Sequence, residues 1–171
     1  MRHVAIMCGI PGSGKSTLAK QLTKGLPNRV VSADNFFMQN GEYQFDISKL
    51  HLAHNQCLRE YVDTLQRGYD GDGGVVVDNT NCNLMDIAPY YRLAQAFGYM
   101  PTVIVLTCDA TTGAQRNLHN VPESITSRME GRLRKALRAW PYDWRKLMWT
   151  GNDGIRSMLE VARYDPRLTH E

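Results

Sequence analysis

An α/β fold, with a parallel sheet buried between layers of helices, is what the sequence predicts, and three observations carry the prediction. Four short apolar runs, HVAIMC at 3–8, RVVSA at 29–33, VVVD at 75–78 and PTVIVLTC at 101–108, read as strands covered on both faces. Amphipathic stretches lie between them, so strand and helix alternate along the chain. Between the first run and the first helix stands GIPGSGKST at 9–17, which fills every fixed position of G-x-x-x-x-G-K-[ST] with Gly9, Gly14, Lys15 and Ser16.

That loop sits where its chemistry requires. A strand delivers it, and STLAKQLTK behind it carries Leu18, Ala19 and Leu22 at the spacing of one helical face. Backbone amides of such a loop wrap phosphate oxygens, and a side chain at the glycine positions would occupy the anion's place. The residues expected to bind the phosphates are Gly9, Pro11, Gly12, Ser13, Gly14, Lys15, Ser16 and Thr17. The implied fold is the three-layer P-loop NTPase fold, with a parallel sheet of four or five strands.

The second run ends on Asp34, at the rim where ligands of open α/β sheets bind. An aspartate within reach of a hydroxyl acceptor can take its proton, so Asp34 is a candidate general base, with the cap of a short helix at 35–38 as the plain alternative. Residues 47–67 follow as a helix with Leu50, Ala53, His54, Cys57, Leu58, Tyr61, Val62 and Leu65 on one stripe. GYDGDGG at 68–74 reads as a surface connector. The third run ends in DNTN, where Asp78 is placed either to support the water shell of Mg²⁺ or to shape an acceptor pocket with Asn79, Thr80 and Asn81, or simply caps its loop.

A helix is expected at 84–98, beginning again at Pro89 and stopping at Gly98. After the fourth strand, residues 110–138 read as helix, NVP turn and helix, with Pro122 in the first turn and Glu123 at the positive end of the dipole. This region is rich in arginine, whose planar fork clamps phosphate oxygens. Arg116 and Arg128 are the candidates to stabilise the migrating phosphoryl group, with Arg132 one turn beyond Arg128 in reserve. The last third shows no clear strand, and residues 140–171 are expected to form a helical tail. In WPYDWRKLMW at 140–149, aromatic and basic residues interleave as on single-strand binding surfaces, or Trp140, Trp144 and Trp149 pack the tail onto the sheet.

Composition sets the limits. A chain of 171 residues suits one domain, and a net charge of +3 names no partner. The N-terminal apolar run is too short for a membrane span or a signal-peptide core, so a cytoplasmic protein without membrane association is expected. Cys8, Cys57, Cys82 and Cys108 are too scattered for a zinc site or a disulfide framework and read as free thiols.

Taken in order, GIPGSGKST, SADNFF, VVVDNTN and HNVPESITSRM resemble the P-loop kinases of the polynucleotide 5′-hydroxyl kinase type and their AAA and zeta-toxin-like relatives, over roughly residues 1–138. The resemblance implies a kinase that moves the γ-phosphate of ATP, with Mg²⁺, to a hydroxyl of a nucleic acid or nucleotide. By that resemblance Lys15 and Ser16 hold the donor phosphates and the metal, Asp34 is the base, Asp78, Thr80 and Asn81 shape the acceptor site, and 110–138 is a lid whose Arg116 reaches the phosphates. Where those kinases commonly carry an arginine three residues after the base, this chain has Phe37, which with Phe36 is a candidate to stack an acceptor base. A small metabolite or modified nucleobase as acceptor, and a regulatory ATP-binding domain, are the alternatives.

Overall fold

A computed structural model describes residues 2–23, 29–68 and 74–149. The first strand, β1 (His3–Cys8), is buried along its whole length and feeds the glycine-rich loop and helix α1 (Lys15–Leu22). The strand β2 (Val30–Val31) ends in a 3₁₀ turn, Ala33–Phe37, followed by a small antiparallel hairpin of β3 (Met38–Gln39) and β4 (Glu42–Tyr43). Then come α2 (Leu50–Arg67), β5 (Val75–Val77), α3 (Leu84–Ala96), β6 (Met100–Leu106), α4 (Ala110–Arg116), α5 (Glu123–Arg138) and β7 (Lys146–Trp149).

The main sheet runs β2-β5-β1-β6-β7, with every neighbouring pair parallel. Register stacks Val77 on one side of Ile6 and Val103 on the other. Side chains alternate across a strand, so β1 serves two cores. Val4, Ile6 and Cys8 face the core that contains Tyr61 and Leu65 of α2, Tyr91 of α3 and Leu133 of α5. Ala5 and Met7 face Leu18, Ala19 and Leu22 of α1 on the other side. Continuous apolar runs are therefore what this sheet needs, since both of its faces are covered. The buried tyrosines keep their hydroxyls paired: Tyr61 donates to the Tyr90 carbonyl at 2.9 Å and Tyr99 to that of Leu65 at 3.2 Å.

The order of the strands places the site. β5 lies between β1 and β2, so the carboxyl ends that carry the loop, Asp78 and Asp34 stand side by side along one rim, with Asp78 in the middle. The four expected strands and the helices between them are present with shorter bounds. Residues 47–49 form a 3₁₀ turn ahead of α2, because the Asp46 side chain accepts from Ser48 N and ends the helix there. Instead of beginning again at Pro89, α3 runs continuously through it. A proline this close to the first turn forfeits one backbone bond without breaking the helix.

One expectation fails within the tail. Residues 146–149 are not helical but form β7, the fifth strand, at the edge beside β6. The remainder of the expected tail, 150–171, lies outside the described residues, as do 69–73 of the connector. The tryptophans explain the docking. Trp144 is buried with its ring parallel to that of Tyr91, centroids 4.7 Å apart, and Trp140 meets it edge-on at 6.0 Å. Lys146 lies over the Trp140 ring at 5.1 Å. Trp144 is thus committed to packing, and Trp140 packs partly buried against it. Among the described residues no helix is long and apolar enough to cross a membrane.

Trp144→Ala removes a buried aromatic from this seam and is expected to lower stability by about 3–5 kcal/mol. Chemical denaturation followed by far-ultraviolet circular dichroism reads the loss; a change within about 0.5 kcal/mol contradicts the packing described.

Candidate active site

The loop between β1 and α1 turns on glycine. Gly12 and Gly14 have φ of 77° and 94°, a region closed to most side chains, and Gly14 is also the residue that caps α1. Gly12 has a second reason to be glycine: a Cβ there would stand 2.2 Å from the Gly113 carbonyl of α4. Lys15 opens α1 and is only 8% exposed; its Nζ donates to the Ile10 carbonyl at 2.9 Å, which folds the ammonium back over the loop. Burial pulls its pKa below the ordinary lysine value, opposed by the nearby charges of Asp78 and Asp34. Gly14, Ser16 and Thr17 are exposed, with Pro11, Gly12 and Ser13 half-buried beside them. These are the features of a surface that receives phosphate at a helix N-terminus.

A seam of hydrogen bonds joins the ends of β2 and β5. Asp78 N donates to the Val31 carbonyl at 2.9 Å, Ser32 Oγ donates to the Asp78 carbonyl at 2.8 Å, and Ala33 N donates to Asn79 Oδ1 at 2.8 Å. Asn79 Nδ2 in turn reaches the Tyr90 hydroxyl at 3.2 Å, which ties the seam to α3. The backbone that leads into Asp34 is thus fixed. Asp34 does not cap a helix, because that place belongs to Ser32, whose Oγ accepts from Asp34 N at 3.3 Å. Its own carboxylate is left at the surface, 54% exposed, with Oδ1 accepting from the Tyr43 hydroxyl at 3.1 Å.

Asp78 is the opposite case. Burial raises its carboxyl above the ordinary value, while a hydrogen bond from Ser16 and the charge of Lys15 draw it back down. Its Oδ1 is buried without a hydrogen-bond partner, and Ser13 Oγ is likewise unsatisfied. A carboxylate that is hydrogen-bonded to Ser16 and keeps one oxygen unpaired beside a phosphate loop fits a hydrated Mg²⁺, which uses one or two protein oxygens and completes its shell with water and phosphate. No cluster of three or more His, Cys, Asp or Glu side chains stands ready for a metal among the described residues.

The lid is α4, the turn 117–122 and α5. Gly113 packs α4 against the loop so closely that a Cβ on it would meet the Pro11 carbonyl at 2.8 Å. Asn117 ties the turn: its Nδ2 donates to the Val121 carbonyl at 3.1 Å and its Oδ1 accepts from Val121 N at 2.7 Å. At the tip of this turn His119 lies 4.0 Å, centroid to centroid, from the ring of Tyr43, and its Nε2 is 3.6 Å from Asp34 Oδ2.

The structure therefore brings together Gly9 to Thr17, Asp34 and Asp78. It assigns other work to the side chains of Phe37 and Asn81, and to the backbone of Thr80. Phe37 is 2% exposed and packed among Phe36, Tyr43 and Phe45, so it has no free face for an acceptor base. Asn81 is buried, with φ of 44°, and its amide braces the Met7 carbonyl at 2.8 Å. Thr80 accepts from Gly9 N at 2.8 Å through its carbonyl, and its side chain stays half-exposed. Among the arginines, Arg116 lies at the end of α4, where its charge is felt by Cys108 and Asp109. Arg128 is exposed on α5, and Arg132 is the one whose charge reaches Cys82, close to Lys15. Arg134 is paired with Glu130 on α5.

Tyr43 and His119 escape a reading by periodicity. A signal for Tyr43 existed: Asn40-Gly41, with φ of 52° and 86°, is the residue pair that a tight hairpin demands, and it folds Tyr43 back over Asp34. For His119 the sequence holds no comparable sign.

Such a loop, rim and lid define a P-loop protein of the kinase type in fold. The chain matches the family model described as "AAA domain" over residues 4–139 and belongs to that family. It is 32% identical to human NEDD4-binding protein 2 over 135 residues, 74% of this chain and 7% of that protein. It is 27% identical to the uridine kinase of Borrelia garinii subsp. bavariensis over 73 residues, 39% of this chain and 35% of that one. The chain thus spans only a small part of the first of these relatives and about a third of the second. The structure of deoxyadenosine kinase from M. mycoides with bound dATP has the same fold, with a TM-score of 0.55 at 15% identity, covering 94% of this chain and 96% of that one.

Asp78→Asn tests the metal-facing carboxylate. Because burial raises the folded-state pKa of Asp78, its contribution to stability is full at pH below the ordinary carboxyl value and is lost as pH rises through the raised one. At neutral pH the asparagine variant, free of nucleotide and metal, is expected to melt no lower than wild type, yet to lose the extra stabilisation that Mg²⁺ adds to ATP. Thermal melts with ATP, with and without Mg²⁺, check this; an undiminished Mg²⁺ increment contradicts it.

Proposed function

We propose that the protein is an ATP-dependent kinase that transfers the γ-phosphate to a hydroxyl of a nucleic acid or nucleotide. The observation that carries the reading is the rim itself: an exposed carboxylate, Asp34, on a backbone bolted to the strand that bears Asp78, one strand away from Lys15 and Ser16. Burial of Lys15, whose field includes both aspartates, marks one connected electrostatic site rather than two. A nucleotide binder without chemistry has no use for a carboxylate held at that place. The uridine kinase and the deoxyadenosine kinase named above act, by their names, on nucleosides, which supports an acceptor of nucleotide chemistry.

Each group then has a task. The loop amides and Lys15 hold the β- and γ-phosphates, and the N-terminus of α1 adds its dipole. Ser16 and Asp78 would hold Mg²⁺, which when bound neutralises charge on the phosphate oxygens. Asp34 takes the proton from the acceptor hydroxyl while that oxygen forms its bond to the γ-phosphorus. The bond from that phosphorus to the β,γ-bridging oxygen breaks, and ADP leaves with the electron pair. Arg132, and Arg116 and Arg128 with lid movement, supply positive charge to the phosphoryl group in transit.

Asp34→Asn separates this mechanism from simple nucleotide binding. ATP affinity is expected to stay within about twofold of wild type, whereas single-turnover transfer from γ-labelled ATP falls by roughly 10²- to 10⁴-fold. The same assay run on wild type with 5′-hydroxyl DNA, 5′-hydroxyl RNA, nucleosides and sugars ranks the acceptors. Equal loss of binding and transfer in the variant would return Asp34 to a structural role.

A further inference from the structure

Both oxygens of the Asp34 carboxylate face partners that are not alike. Oδ1 accepts from Tyr43, whose hairpin is joined to the Asp34 turn by Gln44 N donating to the Phe37 carbonyl at 2.8 Å, so this contact belongs to the body of the protein. Burial, followed by the neighbouring Asp34 charge, holds the Tyr43 phenol well above its ordinary pKa, so the hydroxyl keeps its proton and serves as donor. Oδ2 faces His119, which comes from the lid. Oδ1 is engaged by the body of the protein, whereas Oδ2 is engaged only from the α4–α5 turn, so Oδ2 is the oxygen that an incoming hydroxyl reaches when that turn gives way.

His119 makes two contacts at once. Its imidazole lies on the Tyr43 ring at 4.0 Å with planes 34° apart, and its Nε2 edge points to Oδ2 at 3.6 Å. A flat nitrogen heterocycle in close, tilted contact with a tyrosine ring, with a polar edge toward a carboxylate, marks the place where the base of a nucleoside would lie. The platform extends beyond it. Phe45 lies nearly parallel to Tyr43, with centroids 6.5 Å apart and planes 11° apart, and is 53% exposed although Phe37 anchors it from below at 5.0 Å. Exposed aromatic rings are costly to leave in water and serve as sequence-tolerant stacking surfaces for bases.

We propose that His119 holds the place of a nucleobase: the acceptor's base stacks on Tyr43 in its stead, and a sugar hydroxyl of the same molecule takes over Asp34 Oδ2. Tyr43 is then a substrate-binding residue through its ring and a positioning residue through its hydroxyl. The proposal rests on the kinase reading for the fate of the hydroxyl, while the stacking stands as a binding claim by itself. Release of His119 also removes the contact that joins the 117–122 turn to Tyr43 and Asp34, so acceptor entry acts on the lid at that point.

Two variants split the roles of Tyr43. Tyr43→Phe keeps the ring and is expected to leave the KM for adenosine within about twofold while kcat falls about tenfold or more, since Oδ1 loses its donor. Tyr43→Leu loses the ring as well and is expected to raise that KM roughly five- to 150-fold, the range a lost base–aromatic stack covers. His119→Ala removes the competitor and is expected to lower the KM for adenosine. Binding is read separately by proton NMR of the His119 imidazole in wild type: adenosine or a short 5′-hydroxyl oligonucleotide shifts its signals away from the ring-current field of Tyr43, and ribose does not. The larger effect of the two identifies a free nucleoside or a nucleic-acid end as the source of the base. Identical responses to ribose and adenosine, or a Tyr43→Leu variant with unchanged KM, overturn the proposal. If no acceptor is phosphorylated although adenosine displaces His119, the kinase reading fails and the stacking site stands.

Discussion

The seam between β2 and β5 is the constraint on which the site depends. Phosphoryl transfer asks little covalent chemistry of a protein and much positioning, because the acceptor and the donor phosphate must meet in line. An exposed aspartate on a free turn would sample many directions. Here the two residues that precede the aspartate are pinned to the β5 end, through Ser32 Oγ on the Asp78 carbonyl and Ala33 N on Asn79 Oδ1. Both bonds are backbone to side chain and lie at the edge of the core, where water competes poorly for them. The same seam carries Asp78, so the two carboxylates to which the proposed mechanism gives the acceptor and the metal are set by one piece of structure.

The lid is attached by contact of backbone on backbone. Gly12 and Gly113 meet so closely that neither tolerates a Cβ, and Thr126 Oγ1 donates to the Ala110 carbonyl at 2.9 Å to hold α5 to α4. A lid seated in this way transmits its position to the phosphate loop directly. At its far end it meets Tyr43 and Asp34 through His119, so one element touches both the donor and the acceptor side. In the proposed mechanism that connection is the route by which filling of one side would be coupled to closure over the other.

Much of this was legible in the sequence, for reasons that can be stated. A sheet covered on both faces writes its strands as unbroken apolar runs, and the phosphate loop demands fixed residue types at fixed spacing, so β1, β5, β6 and Gly9 to Ser16 could be placed directly. Asp34 and Asp78 were visible as acids closing such runs. Phe37 was not legible as a core residue: a phenylalanine beside an exposed aspartate reads the same whether it points out or in, and only the hairpin beyond it decides. Asn79 and Asn81 are both polar and adjacent to Asp78, yet each is buried to satisfy backbone carbonyls or amides across strands, a long-range demand that local pattern does not record. Strand β7 was hidden because its four residues include Lys146 and its pairing with β6 is a distant contact.

The central claim is that Lys15 and Asp34 serve one direct displacement, with donor phosphate on the loop after β1 and acceptor hydroxyl at the end of β2, beyond β5. The stereochemical course at phosphorus tests it most directly. With ATP made chiral at the γ-phosphorus by oxygen isotopes or sulfur, and the acceptor that the labelling assay ranks first, a single in-line transfer gives inversion of configuration. Retention would contradict the account, since it requires two displacements and a phosphorylated residue of the protein between them.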